Sequence, residues 1–139
     1  MKKVIYSLMV MLSITSVAMA QQQDSLRVAT QLTIPIAEQV ALNEEFSAVL
    51  VKVLSDSRCP KNVTCVWAGK AEALVHIYKK GVLYKKETIS FHPNYLEEEV
   101  LSFFSLNNFK VTAVQLLPYP DGVKAPKKQS YKLVLDVLR

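Results

Sequence analysis

Between Lys70 and Tyr78 the chain alternates with a period of two, with Ala71, Ala73, Val75 and Ile77 on one side and Lys70, Glu72, Leu74, His76 and Tyr78 on the other. A helix would scatter those four small apolar residues around its circumference, whereas a strand puts all of them on one face. Lys79-Lys80-Gly81 then turns the chain into a second extended stretch, Val82 to Phe91, so the two are expected to form a β-hairpin. The same rhythm recurs elsewhere. Glu45 to Leu54 carries apolar residues on both faces (Phe46, Ala48, Leu50 against Val49, Val51, Val53), the pattern of a strand inside a sheet. Thr30 to Ile36 alternates as well, but Pro35 has no amide hydrogen and assigns that strand to an edge. Phe109 to Leu117 and Ser130 to Leu138 complete the set.

Two segments are less regular. Residues 37–43 read as a link or a single helical turn. In 94–106, Leu96, Val100, Phe103 and Phe104 fall at i, i+4, i+7 and i+8, with Asn94 as a cap and three glutamates in the first turn, which favours a short helix or turn over a strand. The expected fold class is therefore all-β: an antiparallel β-sandwich of six to seven strands with at most one short helix. An immunoglobulin-like topology is one way to connect it, and a small barrel is the competing architecture.

The first twenty residues stand apart. Met1-Lys2-Lys3, an apolar run from Val4 to Val17 diluted by serines and a threonine, and Ala18-Met19-Ala20 are the three parts of a secretory signal. Residue 21 is Gln, not Cys, so lipid attachment at the cleavage point is not supported. Cleavage leaves 119 residues: a polar lead-in over 21–29 and one domain over 30–139, without a transmembrane anchor. The segment removed holds two lysines and no acid, so the net charge falls from +5 to +3. That balance permits weak attraction to anionic surfaces. It does not make a nucleic-acid interface, because the lysines sit in pairs beside turns instead of clustering on one face.

All the unusual chemistry lies between the second and third strands, in Ser55 to Gly69, which holds both cysteines and the only tryptophan. Outside the cytoplasm a Cys59–Cys65 disulfide is the default, closing a small loop at about 2 kcal/mol in the chain-entropy model. Two readings of this block stand side by side. In the structural one, Arg58 grips a carboxylate such as Asp56, Trp67 covers the sulfurs, and Gly69 admits a backbone conformation closed to other residues. In the functional one, the braced loop is a presented surface with Asp56, Arg58, Trp67 and Lys70 as its binding residues, since arginine and tryptophan dominate interface energetics.

Catalysis has no foothold in the sequence. It holds no nucleophile elbow, phosphate loop, dinucleotide fingerprint or zinc-protease motif, and Cys-x5-Cys is not the Cys-x-x-Cys of thiol oxidoreductases. No catalytic residue, cofactor or metal is expected; His76, His92 and Glu97-Glu98-Glu99 lack metal-ligand spacing.

The block Asp56-Ser57-Arg58-Cys59-Pro60, followed by Cys65-Val66-Trp67-Ala68-Gly69 and an alternating strand, resembles a set of small exported bacterial proteins of mostly uncharacterised function. The likeness extends more loosely to Leu117-Pro118-Tyr119-Pro120 and the last strand. It implies export, a single β domain and a Gram-negative envelope setting, and carries over no activity. The expected function is a non-catalytic binding or accessory module that meets a protein, peptide or glycan of the envelope. An inhibitor of a secreted hydrolase, with Arg58 offered to a specificity pocket, is the competing class, and a small enzyme with dispersed residues is the third.

Overall fold

A computed structural model describes residues 29–92, 102–106, 109–122 and 126–138. The signal segment, all of the lead-in but Ala29, and residues 94–101 of the ambiguous segment lie outside them.

Eight strands are found among the described residues: β1 (Ala29–Pro35), β2 (Gln39–Ala41), β3 (Phe46–Asp56), β4 (Ala71–Lys79), β5 (Val82–Phe91), β6 (Ser102–Leu106), β7 (Phe109–Leu117) and β8 (Lys132–Leu138). One 3-10 turn, Lys128–Ser130, precedes β8. The strands form two four-stranded antiparallel sheets, ordered β1-β8-β7-β6 and β2-β3-β4-β5, which gives a β-sandwich.

Alternation becomes burial. Ala71, Ala73, Val75 and Ile77 are fully buried, lie beside Ala48 and Leu50 of β3, and share one core with Ile34, Leu133, Leu135 and Val137. Burying a side chain of the size of Leu or Ile contributes about 1.5–3 kcal/mol, so this layer is the main source of stability. Pro35 lies on an edge strand, and β3 is central in its sheet, as the sequence requires. At the β4–β5 hairpin Lys80 and Gly81 have φ of 49° and 81°, the pair of positive angles that matches a two-residue turn to strand twist.

Two segments depart from expectation. Residues 39–41 form a three-residue strand on the edge of β3, where a link or helical turn was expected. Residues 102–106 are a strand, not part of a helix. Phe104 is buried and pairs with Val111, so the gain from cross-strand pairing outweighs a helical spacing that continues only in residues outside the described ones. These two additions take the count to eight.

The connectivity also differs from the immunoglobulin-like possibility. Among the described strands, β2 to β5 and β6 to β8 each neighbour their successors, β8 pairs with β1, and the chain changes sheets at β1–β2 and β5–β6, so the path is a meander and not a Greek key. At the first change, the Ile36 N–H donates to the Tyr131 carbonyl at 3.0 Å and the Ala37 N–H to the Leu50 carbonyl at 2.8 Å, one bond to each sheet.

The two ends of the sandwich are closed by different chemistry. Where β3 starts, Phe46 packs against Tyr84, Phe104 and Phe109 with ring centroids 5.7, 5.0 and 6.2 Å away. Where β3 ends, at Asp56, the closure is polar. Register shifts in β3 between Leu50 and Lys52 and between Val53 and Ser55 bend the strand just before that residue.

Candidate functional site

The loop 57–70 leaves β3 at Asp56 and enters β4 at Ala71, and those two residues are paired in register. Its base is a narrow ladder. The Ser57 N–H donates to the Lys70 carbonyl at 2.8 Å, and the Cys59 N–H to the Ala68 carbonyl at 2.9 Å. Ser57 Oγ adds a bond to the Lys70 carbonyl at 3.0 Å. Further out, Cys59 and Cys65 form the expected disulfide, with Cα atoms 6.0 Å apart. On its flank the Lys61 N–H donates to the Pro120 carbonyl at 3.0 Å, which ties the loop to the turn after β7.

Beneath the ladder lies a buried ion pair. Arg58 Nε and Nη2 donate to the two carboxylate oxygens of Asp56 at 2.8 and 2.7 Å, and both side chains are only 5% exposed. The guanidinium has donors left over and spends them on the opposite sheet: Nη1 reaches the Leu116 carbonyl at 2.7 Å and Nη2 the Pro118 carbonyl at 3.1 Å. Its plane lies 4.8 Å from the Tyr119 ring centroid. From β8's approach, the Tyr131 hydroxyl donates to Asp56 Oδ2 at 2.9 Å. A planar fork with five donors is the one side chain able to hold a carboxylate and two carbonyls together. Asp56, Arg58 and Tyr131 therefore act as a clamp between the sheets.

The charges follow from that geometry. Burial by itself pushes the Asp56 carboxyl up, but the hydrogen bonds from Arg58 and Tyr131 and the guanidinium charge outweigh it and hold the group below its usual value. Burial, then the bond to the Asp56 carboxylate and its charge, push the Tyr131 phenol up to about 12. Stability at acid and alkaline pH should report both. A depressed carboxyl contributes stability that is present above its unfolded value, near 3.9, and is lost as pH falls through the lower folded value. A raised phenol contributes stability that is complete below about 10 and lost as pH rises to about 12. Urea midpoints measured from pH 7 to pH 12 should therefore fall most steeply above pH 10, on the order of 2 kcal/mol, and Tyr131→Phe should flatten that limb. An alkaline limb equally steep in Tyr131→Phe would refute the assignment.

The placement of the sequence-expected residues separates the two readings of the block. Asp56 and Arg58 belong to the structural reading: they are buried and bonded inward, so Arg58 is not displayed and cannot enter a specificity pocket from this conformation. Lys70 is exposed and pairs with Glu72 at 2.6 Å, a solvent-facing contact of small energetic weight. Trp67 departs from its expected role as cover for the sulfurs, because it is 76% exposed. Beside it Val66 is 97% exposed and Val63 48%. The clamp is buried at the loop's base, and the apolar residues of the loop are left to solvent.

Val66 and Val63 were not singled out from the sequence. The signal was available: one valine inside the cysteine-closed ring, and a valine and a tryptophan just after it in a polar loop, have no strand face on which to hide. Tyr131, Tyr119 and the carbonyls of Leu116 and Pro118 were also missed, because nothing in their types marks them as partners of Arg58. Among the described residues there is no group of three or more His, Cys, Asp or Glu placed to hold a metal, and no helix long and apolar enough to cross a membrane. Comparison with protein-family models, with curated proteins and with solved structures finds no match for the chain.

Proposed function

We propose that this chain is an exported, non-catalytic binding module of the bacterial cell envelope, and that the tip of the 57–70 loop is its recognition surface. One observation carries the reading: Trp67 and Val66, 76% and 97% exposed, stand on a loop fixed by a disulfide, a backbone ladder and a buried ion pair. Exposed apolar side chains are common singly. An indole held out on a braced loop is different, because the ordering entropy of binding is already spent in the fold and tryptophan heads the residues that dominate interfaces.

The inhibitor reading loses its arginine, since Arg58 is internal, and survives only if Val66 and Trp67 themselves block a hydrolase. An enzyme reading gains nothing from Asp56, Arg58 and Tyr131, whose polar atoms are spent on one another and on the sheet.

Wild-type protein and the double variant Val66→Asp/Trp67→Ala should be compared for retention by isolated envelope fractions. The variant is expected to bind at least about tenfold more weakly, a hot-spot-sized loss, while its urea stability stays within about 0.5 kcal/mol of wild type, as for other surface changes. Equal retention of the two proteins would remove the loop tip from the binding surface. Mature protein starting at Gln21 and carrying an oxidised cysteine pair, read from intact mass with and without reductant, would establish the export half of the proposal.

A further inference from the structure

This inference rests on the recognition-surface reading and names the partner: we infer that the loop tip docks on an anionic lipid surface, with Val63, Val66 and Trp67 entering the interface and lysines standing on its phosphates.

Shape is the first argument. Val66, at 97% exposed, touches almost nothing of its own chain, so the tip is a protrusion and not a face or a groove. A protein partner would need a pocket moulded to it, and three side chains offer much less than the roughly 800 Å² a side of a stable protein interface. A fluid bilayer closes around a protrusion without a preformed pocket. The chemistry of the tip suits that medium, because an indole has an apolar body and one N–H donor and settles where hydrocarbon meets headgroup.

Charge is the second argument. From Ser57 through Ala71 the chain has no acidic residue. Lys61 and Lys70, both exposed, flank the apolar residues in sequence, Lys70 from the loop's base, where it pairs with Glu72 at 2.6 Å. The turn after β7 packs against the loop through Pro118 and Pro120, and the connection it opens brings exposed Lys127 and Lys128 to the same end, just before Tyr131. Against these four lysines stand two acids: half-buried Glu72, which pairs with Lys70 at the loop's base, and Asp121, whose backbone bridges to that of Lys61, so the balance at this end stays positive. An apolar point inside a cationic collar complements a surface that is hydrocarbon below and phosphate above.

Trp67 is the only tryptophan in the chain, so its fluorescence reports this one position without labelling. Mature protein is to be titrated with vesicles of phosphatidylglycerol and phosphatidylethanolamine, and separately with phosphatidylcholine alone. The expected result is a blue shift of emission, and quenching by lipids brominated high on the acyl chain, on the anionic vesicles and not on the neutral ones. Val66→Asp should abolish both signals with an unchanged melting curve. Lys61→Glu/Lys70→Glu should weaken vesicle binding roughly tenfold or more. Emission that stays that of a solvated indole at millimolar anionic lipid overturns the inference, as does an equal shift on neutral vesicles. If the indole stays solvated on lipid while Val66→Asp/Trp67→Ala still loses retention by envelope fractions, the loop recognises a protein or glycan: the proposed function stands and the lipid partner falls. If retention is unchanged too, both fall.

Discussion

Arg58→Ala is expected to lower the stability of the domain by about 3–5 kcal/mol, the cost of breaking a buried pair from one side, read as a drop of roughly 10–20 °C in melting temperature. Three losses combine. The Asp56 carboxylate, 5% exposed, keeps its charge and burial but loses its cation, retaining the Tyr131 hydroxyl at 2.9 Å and the main-chain N–H of residue 58 at 3.3 Å. The Leu116 and Pro118 carbonyls lose the donors that reach them at 2.7 and 3.1 Å. Tyr119 loses the guanidinium packed 4.8 Å from its ring centroid. Arg58→Lys should recover only a minor part, because one ammonium cannot meet both carboxylate oxygens and two carbonyls at once. Urea unfolding of the three proteins at pH 7 decides the matter. A loss under about 1 kcal/mol for Arg58→Ala would mean that the pair does not hold the sheets together and that the loop is braced by the disulfide and ladder alone.

That expectation marks the line between what the sequence reveals and what it hides. The β4–β5 hairpin was legible because Ala71, Ala73, Val75 and Ile77 repeat for long enough to exclude a helix, and because Gly81 sits where the turn needs it. The disulfide was legible from two cysteines behind an N-terminal segment that reads as an export signal. Asp56 as a partner for Arg58 lies two residues away and could be read locally. The other partners could not. Tyr131 is 75 positions from Asp56 and meets it only because the sandwich brings the start of β8, in one sheet, to the end of β3, in the other, and main-chain carbonyls carry no signature of residue type. Strand β2, three residues long, is too short to show a period and exists because β3 offers an edge. Likewise Phe103 and Phe104 continue a helical spacing that begins at Leu96 and Val100 in the sequence, and the pairing of Phe104 with Val111 decides otherwise. Arg58 and Trp67 show the same limit from the other side. Both are interface types, and only burial distinguishes the one that anchors from the one that is offered, at 7% and 76% exposed.

Gly69→Ala should be nearly as damaging, at roughly 2–5 kcal/mol, for a reason unconnected with charge. Gly69 has φ of +68°, a conformation that costs an L-residue about 1–2 kcal/mol. A Cβ there would also lie 1.8 Å from the Ser57 carbonyl oxygen and 2.6 Å from its carbon. Those are backbone atoms of the facing strand of the ladder, so no rotamer change relieves the overlap and the ladder itself must open, adding about 1–3 kcal/mol of the kind overpacking costs. Opening it breaks the Ser57–Lys70 and Cys59–Ala68 bonds that separate the buried clamp from the exposed tip. Gly81→Ala is the control: φ there is +81°, yet nothing lies within 4 Å of the added carbon, so only the conformational cost of about 1–2 kcal/mol should appear. Comparing the two variants by urea unfolding therefore isolates the close approach at the loop base. If Gly69→Ala and Gly81→Ala lose equal stability, the ladder yields without cost, and a loop that gives way so easily is not rigid enough to hold Trp67 in place for a partner.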